Sequence, residues 1–278
     1  MENNTINITK RNGEKVAFDV QKLINSLDRS GVAEVEIERI INEVGQNLVE
    51  GMSTRKVYQM AYAILRKKSQ RAAGKYRLKK AIFELGPTGY PFERFVGELL
   101  KNQGYTVEVG KIVQGHCVQH EVDVVAEKDN QKFMIECKFH QQPNRKSDVK
   151  VSLYIHSRFL DVEKEWKKKE EGHLNFHQGW IVTNTRFTQD AIQFGNCAGL
   201  NMISWDYPAS GNLRERIDKS GLHPITALQT LTKKEKQALL EIDQVLCRNI
   251  TKDDLVTVGI KENKFKMIIQ EIEALISL

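Results

Sequence analysis

Paired cysteine motifs are missing from this chain of 278 residues. Its four cysteines are scattered and no two of them have C-x-x-C spacing; they are Cys117, Cys137, Cys197 and Cys247. This distribution argues against a structural zinc site and against a disulfide framework. Cys137 lies in an apolar strand pattern, where we interpret it as a small core residue.

Long apolar segments are missing as well. No run approaches the roughly 18 residues that span a bilayer, and the first residues, MENNTINITKRNG, contain no apolar leader segment. We therefore expect a cytoplasmic protein in a reducing environment, with no membrane partner. The G-x-x-x-x-G-K-[ST] phosphate loop is also absent, so nucleotide hydrolysis by that motif is not expected.

Size and charge bound the remaining possibilities. The length suggests two or three domains, and a hydrophobic content of 40% is enough for packed cores. Lys and Arg number 42 against 36 Asp and Glu, a formal charge of +6. This balance favours a polyanionic partner, and the alternative is an ordinary basic protein.

Residues 121–140 have the pattern of a β-hairpin. An apolar run from Val122 to Ala126, interrupted by one acid, is followed by a turn at Asp129 and Asn130. The predicted return strand is Phe133–Phe139. Because side chains alternate along a strand, residues two apart share a face.

The hairpin would place Asp123, Glu136 and Lys138 on one polar face. Two neighbouring carboxylates raise each other's pKa, and a divalent cation such as Mg²⁺ relieves their repulsion. A lysine beside them can orient a water or stabilise charge on a phosphate, which completes a minimal site for phosphodiester hydrolysis. The alternative is a charged, exposed hairpin face without catalytic role. Against it, both acids interrupt apolar strands, where charge is costly.

The first 85 residues predict a small β-hairpin followed by a helical bundle. The strands are Ile6–Lys10 and Val16–Phe18, joined by a turn at Asn12 and Gly13. Asp19 can cap the first helix and Ser53–Thr54 the third. Near the junction of hairpin and helix, Lys10, Arg11 and Lys22 would suit a triphosphate if they converge. The alternative, which spacing alone favours, is that they are solvated surface side chains.

This region resembles the ATP-cone domain, an allosteric ATP- or dATP-binding module of ribonucleotide reductases and of the repressor of their genes. The matching segments are ITKRNG (8–13), FD (18–19), KL (22–23), MST (52–54) and YRL (76–78). The resemblance implies that nucleotide is bound by Ile8, Lys10, Arg11, Lys22 and Thr54. Some members carry histidine where this chain has Tyr58, so the number and identity of bound nucleotides stay open.

The middle segment predicts an α/β sandwich with a mixed sheet. A break at 86–89 precedes an amphipathic helix whose buried stripe is Phe92, Phe95, Val96, Leu99 and Leu100. The hairpin follows, then a polar loop at 143–150 and a long helix at 151–170. Strands at 180–183 and 201–205 flank a further helix, and this order is typical of α/β layers.

This layout resembles the Mrr-like restriction endonucleases of the PD-(D/E)xK nuclease superfamily. The matching residues are GYPFE (89–93), GY (104–105), EVD (121–123), ECK (136–138), and the run from Thr183 to Ala191. The resemblance implies that Asp123 and Glu136 bind Mg²⁺ or Mn²⁺, with the Cys137 carbonyl assisting. Lys138 would position or activate water, and Glu93 would join the metal site. Val122 stands where the motif name has proline.

Several residues near the hairpin have two interpretations. His120 and His140 either act as acid, base or phosphate donor, or only support the site or the surface. A second group either contacts a DNA backbone or is merely solvated: Arg145, Lys146, Lys150 and Arg158.

The last segment, after a linker at 208–211, predicts an all-helical packing or dimerisation module. The helices expected are Leu213–Gly221, Pro224–Leu231, Lys233–Cys247 and Asn263–Leu278. Thr232 and Thr251 are candidate helix caps. Val258–Ile260 is only an incomplete match to a helix–hairpin–helix.

We thus expect three domains, at 1–85, 86–209 and 210–278, in a multi-domain α/β and α protein. The leading hypothesis is a Mg²⁺-dependent DNA endonuclease of restriction or defence type, regulated by ATP or dATP. It is expected to form a homo-oligomer, since cutting both strands usually needs two sites. Two alternatives remain: a nucleotide-sensing DNA-binding regulator with an inert nuclease fold, and an oligomerising interaction protein without a nucleic-acid role.

Overall fold

The computed structural model describes residues 6–10, 12–168 and 176–276. They form two compact units, one of residues up to 78 and from 269 onward, the other of residues 79–268. The predicted fold class is confirmed, whereas the predicted domain boundaries stay predictions. Among the described residues, no helix has both the length and the apolar character required to cross a membrane.

The first unit combines three short strands with helices. Its elements, including a last helix that runs on into the second unit, are β1 (Asn7–Thr9), β2 (Lys15–Ala17), α1 (Val20–Asp28), α2 (Glu34–Gln46), β3 (Met52–Ser53), α3 (Thr54–Lys68) and α4 (Gln70–Phe83). The predicted hairpin β1–β2 is antiparallel, and β3 pairs with β1 in parallel. Both predicted caps are confirmed: Asp19 accepts the Lys22 N–H and Ser53 accepts the Lys56 N–H.

A mixed five-stranded sheet organises the second unit. Its elements are α5 (Tyr90–Asn102), β4 (Thr106–Gln114), β5 (Gln119–Lys128), β6 (Gln131–Lys138), β7 (Lys146–Ser147), α6 (Val149–Trp166), β8 (Phe176–Thr183), β9 (Arg186–Phe187), α7 (Gln189–Cys197) and β10 (Asn201–Ile203). The strand order is β10-β8-β6-β5-β4. Pairing is antiparallel from β4 to β6 and parallel from β6 to β10, so β6 is the central strand.

The predicted hairpin is formed by β5 and β6. Its turn residues Asp129 and Asn130 have φ values of 50° and 58°. Two successive left-handed residues match the twist of paired strands, and Asp and Asn tolerate that conformation better than most residues. The turn sets the register, in which Val124 lies opposite Ile135.

Helices cover the sheet with apolar stripes. The stripe predicted on α5 is confirmed, because all five of its residues are buried. The long helix α6 starts two residues earlier than predicted, since the Asp148 side chain accepts the Lys150 N–H and caps it. Its apolar stripe packs Phe159 and Val162 against Val125 and Met134 of the hairpin.

The C-terminal region is helical, with shorter helices than predicted. They are α8 (Leu213–Ser220), α9 (Lys233–Glu241), α10 (Lys252–Thr257) and α11 (Phe265–Ile276). The predicted caps are confirmed, since Thr232 and Thr251 form capping boxes with Glu235 and Asp254.

Two predicted helices of this region are wrong. The helix expected at Pro224–Leu231 is one 3-10 turn, Ile225–Ala227, because the Ile225 N–H donates to the Val245 carbonyl instead of an intrahelical one. The helix expected to reach Cys247 ends at Glu241, and Asp243 follows with a φ of 63°, which stops helical propagation.

Candidate functional site

Asp123 and Glu136 lie on the two neighbouring strands β5 and β6. The backbone N–H of Cys137 donates to Asp123 Oδ2 over 2.7 Å and fixes that carboxyl group against the next strand. Glu136 is only 4% exposed. Glu136 is therefore buried in the core and does not lie on an exposed hairpin face, whereas Asp123 is half-buried. The catalytic role of both acids stays a prediction.

Two cations hold Glu136. Lys138 Nζ lies 2.6 Å from Oε1, and Arg158 Nη1 lies 2.6 Å from Oε2. Arg158 also donates through Nη2 to the backbone carbonyl of Glu121. A buried carboxylate needs such compensation, and here it comes from its own strand and from helix α6.

Glu93 adds a third carboxyl group from α5. It interacts electrostatically with Asp123 and Glu136, and its own partial burial is the largest cause that raises its pKa to about 7. Burial, followed by the charge of Glu136, raises the pKa of Asp123 to about 6. The structure thus brings together Glu93, Asp123, Glu136 and Lys138, whose individual roles stay predictions.

These two raised pKa values predict that, in EDTA, the chain becomes more stable as the pH falls from about 8 to about 5. Asp123 and Glu93 have folded pKa values of about 6 and about 7, above their ordinary values of 3.8 and 4.5. The folded state therefore binds more protons in this window, and lowering the pH favours it. Urea unfolding at both pH values measures the change, with Asp123→Asn and Glu93→Gln as comparison. An equal pH response in both variants and the natural chain would contradict this origin.

The donor set suits a hard divalent cation. Asp123 and Glu136 offer carboxylate oxygens, and burial, followed by the charge of Glu136, raises the pKa of Asp123. Within 6–10, 12–168 and 176–276, however, no three His, Cys, Asp or Glu side chains already surround a common ion position. An ion at Glu136 would meet a cation at each carboxylate oxygen.

The two histidines beside the hairpin are engaged elsewhere. His120 Nε2 lies 2.8 Å from Asp161 Oδ2, and this hydrogen bond is the largest cause that lowers the Asp161 pKa far below its ordinary range. His140 lies 3.0 Å from Ser147 Oγ, and its backbone N–H donates to Asn184. Burial lowers the pKa of His140. His120 is thus paired with helix α6, and His140 with Ser147 and Asn184, while the role of each in the site stays a prediction.

Arg158 was not predicted as part of this site. Of the four cations considered for DNA contact, Arg145, Lys146 and Lys150 are exposed, whereas the Arg158 side chain is 11% exposed and paired with Glu136. A signal was present in the sequence: Arg158 lies three residues after Ile155 and four before Val162, on the apolar stripe of α6. A charge at such a position needs a buried partner.

A second candidate site lies in the first unit. A cavity of about 260 Å³ is lined by Ile8, Lys10, Lys22 and Thr54, which the resemblance assigns to nucleotide binding. The fifth predicted residue, Arg11, lies outside the described residues. Both lysines form ion pairs at the surface. Lys10 Nζ lies 3.1 Å from a Glu14 carboxylate oxygen, and Lys22 Nζ lies 3.1 Å from a carboxylate oxygen of Asp19.

A tyrosine pair forms one wall of this cavity. The rings of Tyr58 and Tyr76 stack with centroids 4.7 Å apart and planes 11° from parallel. The Tyr58 hydroxyl donates to the Tyr76 carbonyl over 3.1 Å. Tyr58 is therefore a fixed aromatic surface at the position where some ATP-cones have histidine.

Comparison with known proteins shows the family to which the chain belongs. Residues 223–276 match the family model described as "AF1548-like, C-terminal". Over 184 residues the chain is 35% identical to an uncharacterized protein of Archaeoglobus fulgidus, a match that covers 65% of this chain and 99% of the relative. The chain belongs to the AF1548-like family. The crystal structure of AF1548, a protein of unknown function, has 34% identity and a TM-score of 0.57, covering 68% of this chain and 98% of AF1548.

Two further family models match this AF1548-like chain. Residues 6–81 match the ATP cone domain and residues 87–156 match a restriction endonuclease domain, which confirms both predicted resemblances.

Two solved structures have weaker likeness. MspJI restriction endonuclease in complex with an oligonucleotide has 13% identity and a TM-score of 0.27, covering 59% of this chain and 34% of its own. Can2 from Sulfobacillus thermosulfidooxidans, in complex with cyclic tetra-adenylate, has 15% identity and a TM-score of 0.32, covering 75% and 64%. TM-scores this low do not establish a shared fold.

Proposed function

We propose that this protein is a Mg²⁺-dependent DNA endonuclease whose activity is regulated by ATP or dATP. The observation that carries the proposal is the group of Asp123, Glu136 and Lys138 at the centre of a restriction endonuclease domain. Two acids from adjacent strands and one lysine are the components that phosphodiester hydrolysis requires.

Each side chain has a distinct task in this proposal. Asp123 and Glu136 would hold the divalent ion, which when bound supplies Lewis acidity and a more acidic water. Lys138 orients the attacking water or stabilises charge that develops on the phosphate. Glu93, with a pKa raised to about 7, is a proton acceptor at neutral pH or a further oxygen ligand.

Regulation is assigned to the first unit. The cavity beside Lys10 and Lys22 would take ATP or dATP, and the exposed side chains of Arg145, Lys146 and Lys150 would contact the DNA backbone. A homo-oligomer would supply the second site needed to cut both strands.

The cleavage assay tests the proposal directly. We expect the full chain to cut plasmid DNA, modified or unmodified, in Mg²⁺ or Mn²⁺, with a rate that changes on adding ATP or dATP and falls to background in EDTA. Asp123→Asn should remove cleavage. Asp129→Asn is the matched control, because it removes a carboxyl group from the exposed turn of the same hairpin. No cutting at all, or cutting that survives Asp123→Asn, would reject the proposal.

A second candidate is a nucleotide-sensing DNA-binding regulator with an inert nuclease fold. The observation that favours it is the double ion pair of Glu136, which leaves both of its oxygens occupied by protein cations. DNA binding that is independent of divalent ions, without cleavage under any nucleotide condition, would establish this candidate over the first.

A further inference from the structure

The Arg158 guanidinium is bound to oxygen atoms of the kind that would ligate a divalent ion. Its Nη1 lies 2.6 Å from Glu136 Oε2, and its Nη2 donates to the Glu121 carbonyl, so the guanidinium bridges two oxygens of the hairpin. Carboxylate and carbonyl oxygens are also the ligands that hard divalent cations select. The guanidinium and an ion would therefore compete for the same kind of oxygen atom.

Charge makes simultaneous occupation unfavourable. Glu136 already faces Lys138 at Oε1 and Arg158 at Oε2, and these two unit charges equal the charge of one divalent ion. A divalent ion held by Glu136 would be repelled by the neighbouring guanidinium, in a region with little solvent to screen the repulsion.

The contacts of Arg158 are also incomplete. Its Nε is buried and has no hydrogen-bond partner among the described residues, and a buried donor without a partner is an unfavourable feature. The guanidinium lies 5.4 Å from the centre of the Tyr154 ring, which is 58% exposed. This ring provides a favourable surface over which the side chain can turn toward solvent.

We propose that Arg158 is a positioning residue that holds Glu136 in the absence of metal and is displaced when a divalent ion binds. The displaced guanidinium then turns toward solvent, where its planar donors would suit a backbone phosphate of bound DNA. This inference rests on the proposed function, because it assumes that Glu136 is a metal ligand. A permanent structural ion pair is the opposing account, and it predicts that Arg158 assists rather than opposes metal binding.

Calorimetric titration of the full chain with Mn²⁺, without DNA or nucleotide, separates the two accounts. Arg158→Met removes the competitor and one positive charge, and we expect Mn²⁺ affinity to rise about tenfold or more. Lys164→Met removes one charge from an exposed position of the same helix and should leave affinity nearly unchanged. If the natural chain binds no Mn²⁺, the proposed function itself fails. If it binds, and Arg158→Met binds equally or more weakly, only the displacement is overturned.

A second measurement uses the natural protein, so it does not depend on how the variant folds. Phenylglyoxal modifies accessible arginines, and peptide mass spectrometry follows the reaction at Arg158. We expect Mn²⁺ to accelerate modification of Arg158 in the natural chain and to have no effect on it in Asp123→Asn. A rate that Mn²⁺ leaves unchanged or slows in the natural chain would overturn the proposal.

Discussion

Replacing Lys138 by methionine should lower the rate of DNA cleavage by roughly 10²–10⁴-fold, the range typical for loss of a positioned catalytic group. Methionine keeps an unbranched side chain of nearly the same length and removes the terminal ammonium group with its charge and donors. Metal binding should persist, because Lys138 is a cationic neighbour of Glu136 and is not an oxygen ligand. Single-turnover cleavage measures the rate, and Mn²⁺ titration measures the affinity.

Lys111→Met is the matched control for this experiment. Lys111 also lies on a strand of the sheet, and its 2.6 Å contact with Glu108 is a surface pair, which contributes little. We expect this variant to cleave at nearly the natural rate. Cleavage by Lys138→Met within a few-fold of the natural rate would exclude Lys138 from the chemistry, whatever its position beside Glu136.

Replacing Lys22 by alanine should weaken ATP or dATP binding by roughly 10- to 100-fold, which corresponds to one charged hydrogen bond. In the structure Lys22 is paired only at the surface with Asp19, and such a pair is broken easily. A triphosphate with several negative charges would therefore displace Asp19 as the ion-pair partner of Lys22. Calorimetry on the full chain measures the affinity.

Lys15→Ala provides the comparison for Lys22→Ala. Lys15 is an exposed cation of the same hairpin on β2 and is not part of the cavity wall. If both variants lose affinity equally, the effect is one of overall charge and the cavity is not the phosphate site. Unchanged affinity in Lys22→Ala would remove that residue from the nucleotide site.

Elements with strong local signals were predictable from the sequence. The β5–β6 hairpin followed from strand alternation and an Asp-Asn turn, and the α5 stripe followed from helical spacing. Helix starts at Asp19, Ser53, Thr232 and Thr251 followed from short side chains that satisfy free N–H groups. In each case neighbouring residues alone determine the geometry.

Features that depend on distant contacts were not predictable. The two-residue strand β3 exists because it pairs with β1, some forty residues earlier in the chain. The ion pair of Arg158 and Glu136 joins a helix to a strand across 22 residues, and no periodicity encodes which buried partner an arginine will meet. The helix expected from Pro224 is absent for the same reason, because the backbone at Pro224 forms an antiparallel β-bridge with Leu246.

The two-residue turn at Asp129 and Asn130 has a consequence for insertions. Asp123 lies six residues from it, about 20 Å along an extended strand. Because side chains alternate, one residue added within either strand would turn every acid beyond it to the opposite face. Surface turns usually tolerate changes in length. This turn sets the β5–β6 register that places Asp123 beside Glu136, so a change in its length that shifts the pairing by one residue would separate the two acids.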